Sequence, residues 1–411
     1  VGYVSPSGCN RGTQYEAEGP AEAEQTMRGA ASRLFSVLLA GCMLVSLSGC
    51  WNYSEIDDMS IVAGVAIDKN KADNNIQMTV EMVDTQGGLQ DNQTGFKLMS
   101  LTGDTIFNIA RSMISLTGRK LFWSHAKVII ISEELAREGL VKVIDWYSRD
   151  TETRADVFIF ISGEKNARNV LNLNNTTKTI MSFELAQMMK DEPFTSTAPV
   201  VEIWDFIDKL ETPGKSAIAP LINISEVNGQ KNGRVAGTAV FVKDRMVGKL
   251  NGEETKYALF AKNDVKGGVL NVDNERGVPT YSLEILSSRT KVKTARVDGK
   301  LQIQIHTITH TGLDEVMSTV ELSGKESIQA IEDRASADLQ AQILAVIHKV
   351  QREYQADIFG FGKVVHDDMP QIWHGLEQKW PQEFKNLEVK VTSKVIIQST
   401  AKSSRTIKLG D

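Results

Sequence analysis

Lys127-Val128-Ile129-Ile130-Ile131-Ser132, the helix-forming stretch Glu133 to Arg149, and Asp156-Val157-Phe158-Ile159-Phe160-Ile161-Ser162 together decide the fold. Both short runs are β-branched or aromatic throughout, without the polar alternation of a half-exposed strand. They read as strands buried on both faces, and the helix between them as the crossover of a parallel pair. A chain built around such a unit is of mixed α/β type, here α+β, because the later region turns to hairpins.

Upstream, Ser60 to Asp68 reads as a strand and Lys69 to Asn75 as a polar turn. Ile76 to Asp84 alternates Ile76, Met78, Val80 and Met82 against polar partners, which makes a hairpin. Residues 85–97 look like loop. Asp104 is placed as an N-cap before Ile106, Ile109, Ala110 and Met113, which share one helical face. Further helices are expected at 176–190 and 199–210, and Glu211-Thr212-Pro213-Gly214-Lys215 reads as an interdomain linker.

From 216 onward the pattern is β. Strands are expected at Ile218–Val227, Arg234–Lys243 and Arg245–Leu250. A hairpin is expected between Tyr281–Val297 and Lys300–Thr309, turned by Asp298-Gly299. Ser323 and Glu326 have the spacing of a capping box, and Ile328, Ile331, Ala335, Leu339, Ile343, Ile347, Val350 and Tyr354 line one face of a long helix. A helix around 368–379 and a strand from Leu387 to Gln398 complete the reading.

The N-terminal region carries a different message. Arg28 and Arg33 precede an apolar run from Leu34 to Leu47, and Leu47-Ser48-Gly49-Cys50 ends it. This layout resembles the bacterial lipoprotein signal, cut before a cysteine whose sulfur takes a diacylglycerol. A membrane span is the competing reading, but Ala31 to Gly49 is barely long enough and is diluted by Gly41, Ser46, Ser48 and Gly49. The expectation is therefore a signal peptide at 27–49 and lipidation at Cys50, S-diacylglycerol with or without an N-acyl chain. Residues 1–26, with Glu16, Glu18, Glu22 and Glu24, do not look like a signal n-region and are expected to be an upstream mis-start ahead of Met27.

The 411 residues carry a net charge of −6 with 41% apolar and 24% charged residues. That balance is globular and leaves no electrostatic footprint for nucleic acid. The three cysteines are Cys9, Cys42 and Cys50. A chain starting at Cys50 would have no free thiol and no disulfide, which excludes thiol catalysis and cysteine metal sites.

Candidate chemistry is sparse. His306 and His310 are spaced i, i+4, but alternation of Leu301, Ile303 and Ile305 with Gln302, Gln304 and His306 says strand. A strand would hold the two rings about 13 Å apart, too far for one metal. His366, Asp367, Asp368 and His374 are a better ligand set by residue type, although Asp367 and Asp368 also suit a helix N-terminus, the favoured reading. His125 reads as a packed or rim histidine. Glu133/Glu134 and Glu253/Glu254 read as caps or turns. Gly360-x-Gly362-Lys363 lacks P-loop spacing, and neither a nucleophile elbow nor a His-Glu-x-x-His motif occurs. No catalytic, metal or cofactor residues are expected, and the chain is not expected to be an enzyme.

Five stretches together resemble one family, the Ger(x)C spore germination lipoproteins. They are Gly49-Cys50-Trp51-Asn52-Tyr53-Ser54-Glu55-Ile56-Asp57-Asp58 leading to Val65–Lys69; Gly118-Arg119-Lys120 leading to Ser124–Ile131; Trp146-Tyr147-Ser148-Arg149-Asp150; Gly237-Thr238-Ala239-Val240-Phe241 with Val247–Leu250 and Glu253-Glu254-Thr255; and Ala356-Asp357-Ile358-Phe359-Gly360-Phe361-Gly362 with Pro370, Trp373 and Trp380. The resemblance implies the C subunit of a nutrient germinant receptor, anchored by lipid to the outer face of the cell or spore inner membrane. Its implied partners are integral-membrane A and B subunits; a nutrient ligand is left open. It also implies a three-domain, mixed α/β protein, here divided as 50–212, 213–290 and 291–411, the last two forming the Ger(x)C C-terminal region. Arg149-Asp150 and the Asp357–Gly362 turn are expected to be structural. A solute-binding lipoprotein of a membrane transporter is the alternative, but it needs two similar βαβ lobes where one is evident.

Overall fold

The computed structural model describes residues 29–30, 32–41, 59–72, 74–84, 95–173, 179–273, 279–317 and 325–399. Residues 29–41 are helical where described, with Leu34, Phe35, Val37, Leu38 and Leu39 exposed. Among the described residues no helix is long and apolar enough to cross a membrane.

The chain from Met59 on is organised around two sheets. In the larger, Met59–Lys69 (β1) pairs antiparallel with Ile76–Asp84 (β2), which pairs with Gly95–Gly103 (β3). Lys120–Phe122 (β4) and Val128–Ser132 (β5) run parallel to β1, with Ile129 opposite Val65. Phe158–Ser162 (β6) runs parallel to β5 and sets Phe160 beside Ile130. Ile218–Val227 (β7) joins β6 in parallel, and Gln230–Val242 (β8) and Arg245–Leu250 (β9) extend the sheet antiparallel. A parallel centre is thus flanked by hairpins.

Both faces of that centre are covered, as the unbroken apolar runs require. Ile129, Ile131, Ile159 and Ile161 share a core with residues of Ile106–Thr117 (α1), Glu133–Glu138 (α2) and Val141–Arg149 (α3). Val128, Ile130 and Phe160 turn the other way, against Arg168–Leu171 (α4) and Met181–Asp191 (α5). Each fully buried isoleucine contributes about 1.5–3 kcal/mol relative to an exposed one. The polar partners in β2 are not all solvated. Thr79 is 2% and Glu81 0% exposed. Glu81 accepts hydrogen bonds from the backbone N–H of Met181 and Ser182, both 2.9 Å, at the start of α5. Asp68 does the same for Ala167 and Arg168 at 2.6 and 3.0 Å. Burial pushes the Asp68 carboxyl up, against the pull of those two N–H groups.

Several local expectations need correction. Gly95–Gly103 is a strand, although 85–97 reads as loop; its register follows from pairing with β2 rather than from its own pattern. Thr105, not Asp104, caps α1, its hydroxyl accepting from the Asn108 N–H at 3.2 Å. The helix expected over 133–149 is broken into a pair at Gly139, where the Leu140 N–H donates to the Asp244 carbonyl. Ile203–Glu211 (α6) starts later than expected because Glu202 is bridged to Phe158. Glu211–Lys215 does not separate one sheet from another: the next strand, β7, joins the same sheet.

Gly252–Lys262 (α7) follows β9, capped reciprocally by Asn251 and Glu254. The second sheet has the order Val269–Asp273 (β10), Pro279–Val297 (β11), Lys300–Val316 (β12), Glu388–Ser399 (β13). Asp298 and Gly299, with φ of 50° and 78°, make the expected hairpin turn. The division drawn between 290 and 291 falls inside β11. Lys325–Lys349 (α8) is the long helix, and Ile331, Ala335, Leu339, Ile343, Ile347 and Val350 are buried as its spacing predicts. Its expected cap, Ser323, lies outside the described residues. One π-helical turn, Val350–Tyr354, ends it. The single helix expected at 368–379 is instead Phe361–Asp368 (α9), Pro370–Leu376 (α10) and Trp380–Asn386 (α11), because Pro370 and Pro381 each start a new helix.

Candidate functional site

Two of the signature stretches, 237–255 and 356–380, come together at a seam between the two sheets. Its centre is Asp357, 4% exposed. The carboxylate accepts from the N–H groups of Gly360 at 2.9 Å, Phe361 at 3.1 Å and Gly362 at 2.7 Å, and from Trp380 Nε1 at 3.0 Å. Burial pushes its pKa up to about 6, and the four donors oppose that rise. The Asp357 carbonyl accepts from the Ser216 N–H at 2.9 Å, fastening the chain that leads into β7.

Gly214 and Gly362 meet there backbone to backbone. A Cβ on Gly362 would lie 2.6 Å from the Gly214 carbonyl oxygen and 2.7 Å from Trp380 Nε1; one on Gly214 would lie 3.0 Å from Gly362 Cα. Neither position has room for a side chain. Around them Trp373 and Trp380 pack at 5.3 Å between ring centroids, and Phe359 stacks on Phe361 at 5.2 Å. The π turn serves the same assembly: it buries Gln351, whose amide donates to the carbonyls of Phe384 and Leu387 at 2.8 and 2.9 Å.

A second contact lies alongside. The Tyr354 ring sits on the Cα of Gly248, and its hydroxyl donates to the Lys249 carbonyl at 2.7 Å. Lys349 pairs with Glu254 at 2.6 Å, so the carboxylate that caps α7 also ties it to α8. Lys249 pairs with Glu133, which holds the Glu133 carboxyl below its usual range despite partial burial. Beside the seam opens a cleft of about 640 Å³ lined by Trp204, Lys209, Lys215, Lys262, Phe359 and Gly360. Lys262 donates to the Ile358 carbonyl at 3.0 Å, and Lys209 pairs with Asp205 at 2.6 Å. Burial, aided by the neighbouring Lys209 charge, lowers the Lys215 ammonium.

Chemically the seam is a clamp. All four groups around the Asp357 carboxylate are donors that belong to the protein itself, so the carboxylate positions backbone and is not exposed to a substrate. Among the described residues no group of three or more His, Cys, Asp or Glu side chains could hold a metal. His306 and His310 both lie on β12, as expected of a strand. His366 bonds Asp367 at 3.0 Å, Lys363 pairs with Asp367 at 2.5 Å, and Asp368 accepts from the Thr294 hydroxyl at 3.0 Å. Asp367 and Asp368 therefore end helix α9 rather than open one, correcting the capping expectation. His374 lies on α10. His125 is an exposed rim residue, edge-on to Phe183 at 5.8 Å. Asp150 accepts from Trp146 Nε1 and from the Glu152 N–H, both at 2.8 Å. Cys50 and Trp51 to Asp58 lie outside the described residues. The sequence reading missed Gly214 as a contact and Tyr354 as the partner of Gly248. A Pro-Gly pair signals a turn, and nothing local marks the residue it touches.

The comparisons with known proteins agree along the chain. Residues 52–224 match the spore germination protein N-terminal domain, and residues 236–401 match the spore germination B3/GerAC-like C-terminal domain. The chain belongs to the Ger(x)C family of spore germination proteins, whose members resemble germinant-receptor C subunits. Spore germination protein KC of Bacillus subtilis is 26% identical over 400 residues, covering 90% of this chain and 97% of its own. Spore germination protein A3 of the same organism is 26% identical over 372 residues, covering 87% and 96%. The crystal structure of the GerBC protein matches with a TM-score of 0.55 at 20% identity, covering 82% of this chain and 97% of that one; it shares the mixed α/β fold.

Proposed function

We propose that this chain is the lipid-anchored, noncatalytic C subunit of a spore nutrient germinant receptor, acting in receptor assembly or signal transduction. The observation that carries the reading is the match of both germination domains, in order, over residues 52–401. Directly ahead of them stands Leu47-Ser48-Gly49-Cys50, with the peptide 27–49 removed and Cys50 lipidated. Two acyl chains at about 0.8 kcal/mol per buried methylene hold firmly where one would be marginal. Such an anchor confines the chain to the plane of integral A and B subunits on the outer face of the membrane and raises their effective concentration. The Asp357 seam supports a rigid scaffold rather than an active site, since its carboxylate is fully engaged by backbone and indole donors.

The test is Cys50→Ala in sporulating cells, followed by fractionation and a germination assay. Release of the protein into the soluble fraction with loss of nutrient response is expected. Release with germination intact overturns the mechanism.

A further inference from the structure

The outer face of the second sheet is open and gathers cations at its middle. Arg289, Ile308 and Lys394 form one cross-strand row, Lys291, His306 and Thr392 the next, and Lys293, Gln304 and Lys390 the third. Helix α8 packs on the opposite face, where Ile303, Ile305, Val389, Val391 and Val395 are buried. Arg289, Lys291, Lys293, Lys390 and Lys394 are all exposed, and Ile308 is 47% exposed among them.

At strand spacings of about 4.8 Å and same-face spacings of about 7 Å, these five cations share a patch about 10 Å by 14 Å. None of the five has an ion-pair partner among the described residues, whereas Lys209, Lys349 and Lys363 are paired. The nearest acid on this face, Glu388, sits at its rim and accepts from Gln302 at 2.7 Å. Like charges gathered on one face destabilise a sheet by itself. Lysines on an edge strand do blunt aberrant pairing. That accounts for Lys390 and Lys394 singly, but not for five cations gathered at the middle of one face, with Glu388 and Glu284 only towards its two ends, in a chain of net charge −6.

We propose that this face lies against an anionic phospholipid surface as a second membrane contact. Complementary charge argues for it, and so does the exposed isoleucine among the cations, an apolar group that an acyl surface can cover. The proposal rests on the anchored reading only in that Cys50 would hold the chain at a membrane. Within a Debye length of an anionic leaflet, each Lys or Arg adds to the attraction, and several together make a one-point anchor a two-point one.

The test uses the full chain carrying Cys50→Ser, so that no lipid contributes. Flotation is measured with vesicles of phosphatidylcholine alone and of phosphatidylcholine mixed with phosphatidylglycerol, at low and high salt. Binding is expected only to the anionic vesicles, reversible by salt, and about 100-fold weaker after Lys291→Glu, Lys293→Glu and Lys390→Glu together. The Lys→Gln set at the same positions, checked by thermal unfolding, guards against a misfolded variant and is expected to weaken binding less. Equal binding to both vesicles, no binding to either, or binding indifferent to the substitutions overturns the proposal. Capture by immobilised polyglutamate without vesicle flotation overturns it in favour of an acidic protein partner. Because Cys50 is absent throughout, failure here leaves the lipidation reading to its own fractionation test.

Discussion

The two sheets are written in similar residues and end in different environments. In the larger, the alternate residues Thr79 and Glu81 of β2 are both buried: Thr79 bonds the Ser100 hydroxyl on β3, and Glu81 serves the start of α5. In the smaller, the corresponding set Gln304, His306 and Ile308 of β12 has no covering helix among the described residues, and the latter two are exposed. Isoleucine shows the contrast most directly: Ile130 is 0% exposed and Ile308 is 47% exposed. A two-residue period states that a strand has two faces. It does not state how many helices will arrive to cover the polar one.

That contrast and the seam that joins the sheets can be broken in graded steps. Gly362→Val should act most strongly, since its side chain would enter the space of the Gly214 backbone and the Trp380 indole. A loss above about 4 kcal/mol, or no folded product, is expected in denaturant unfolding. Ile130→Ala should cost about 2–5 kcal/mol, and Ile308→Ala less than about 0.5 kcal/mol, in the same measurement. Equal costs would mean that the small sheet is covered after all.

Asp357 sharpens the comparison through pH. Its folded pKa of about 6 exceeds the ordinary 3.8, so the folded state binds the proton more tightly than the unfolded one. Its stabilising share is fully present below pH 3.8 and is lost as pH rises through 6. The change is of order 3 kcal/mol. Asp357→Asn should flatten that slope in thermal unfolding measured across the window, at the cost of a baseline loss from imperfectly satisfied donors. A slope unchanged by the substitution would assign the pH response to other groups. Last, Glu81→Ala should cost about 1–3 kcal/mol because it strands two buried N–H groups, while Lys291→Ala should stay within about 0.5 kcal/mol.

Much of the fold was legible in the residues. The runs at 127–132 and 156–162 called for a parallel pair buried on both faces, and the structure has it. Asp298-Gly299 called for its hairpin, and the spacing from Ile331 to Val350 for a buried helix face. Where local chemistry is sparse, the residues do not mark their element. Helix α7 has buried residues almost all round and hence no amphipathic stripe to mark it. Strand β3 takes its identity from its neighbour. The break at Gly139 is fixed by Asp244, which reaches Gly139 and Leu140 from more than a hundred positions away. Of the seam, Asp357, Gly360, Gly362, Trp373 and Trp380 could be singled out as a group and the turn expected to be structural, but not which backbone it clamps.

By itself, then, the sequence determined most element types, the parallel centre and the family, because these depend on local spacing and on ordered matches along the chain. The tertiary structure alone decided that Gly214 meets Gly362, that Glu81 and Asp68 hold helix starts, and that five cations share one open face. Each of these is a contact or an exposure between distant segments, and its energy resides in a geometry that no local pattern encodes.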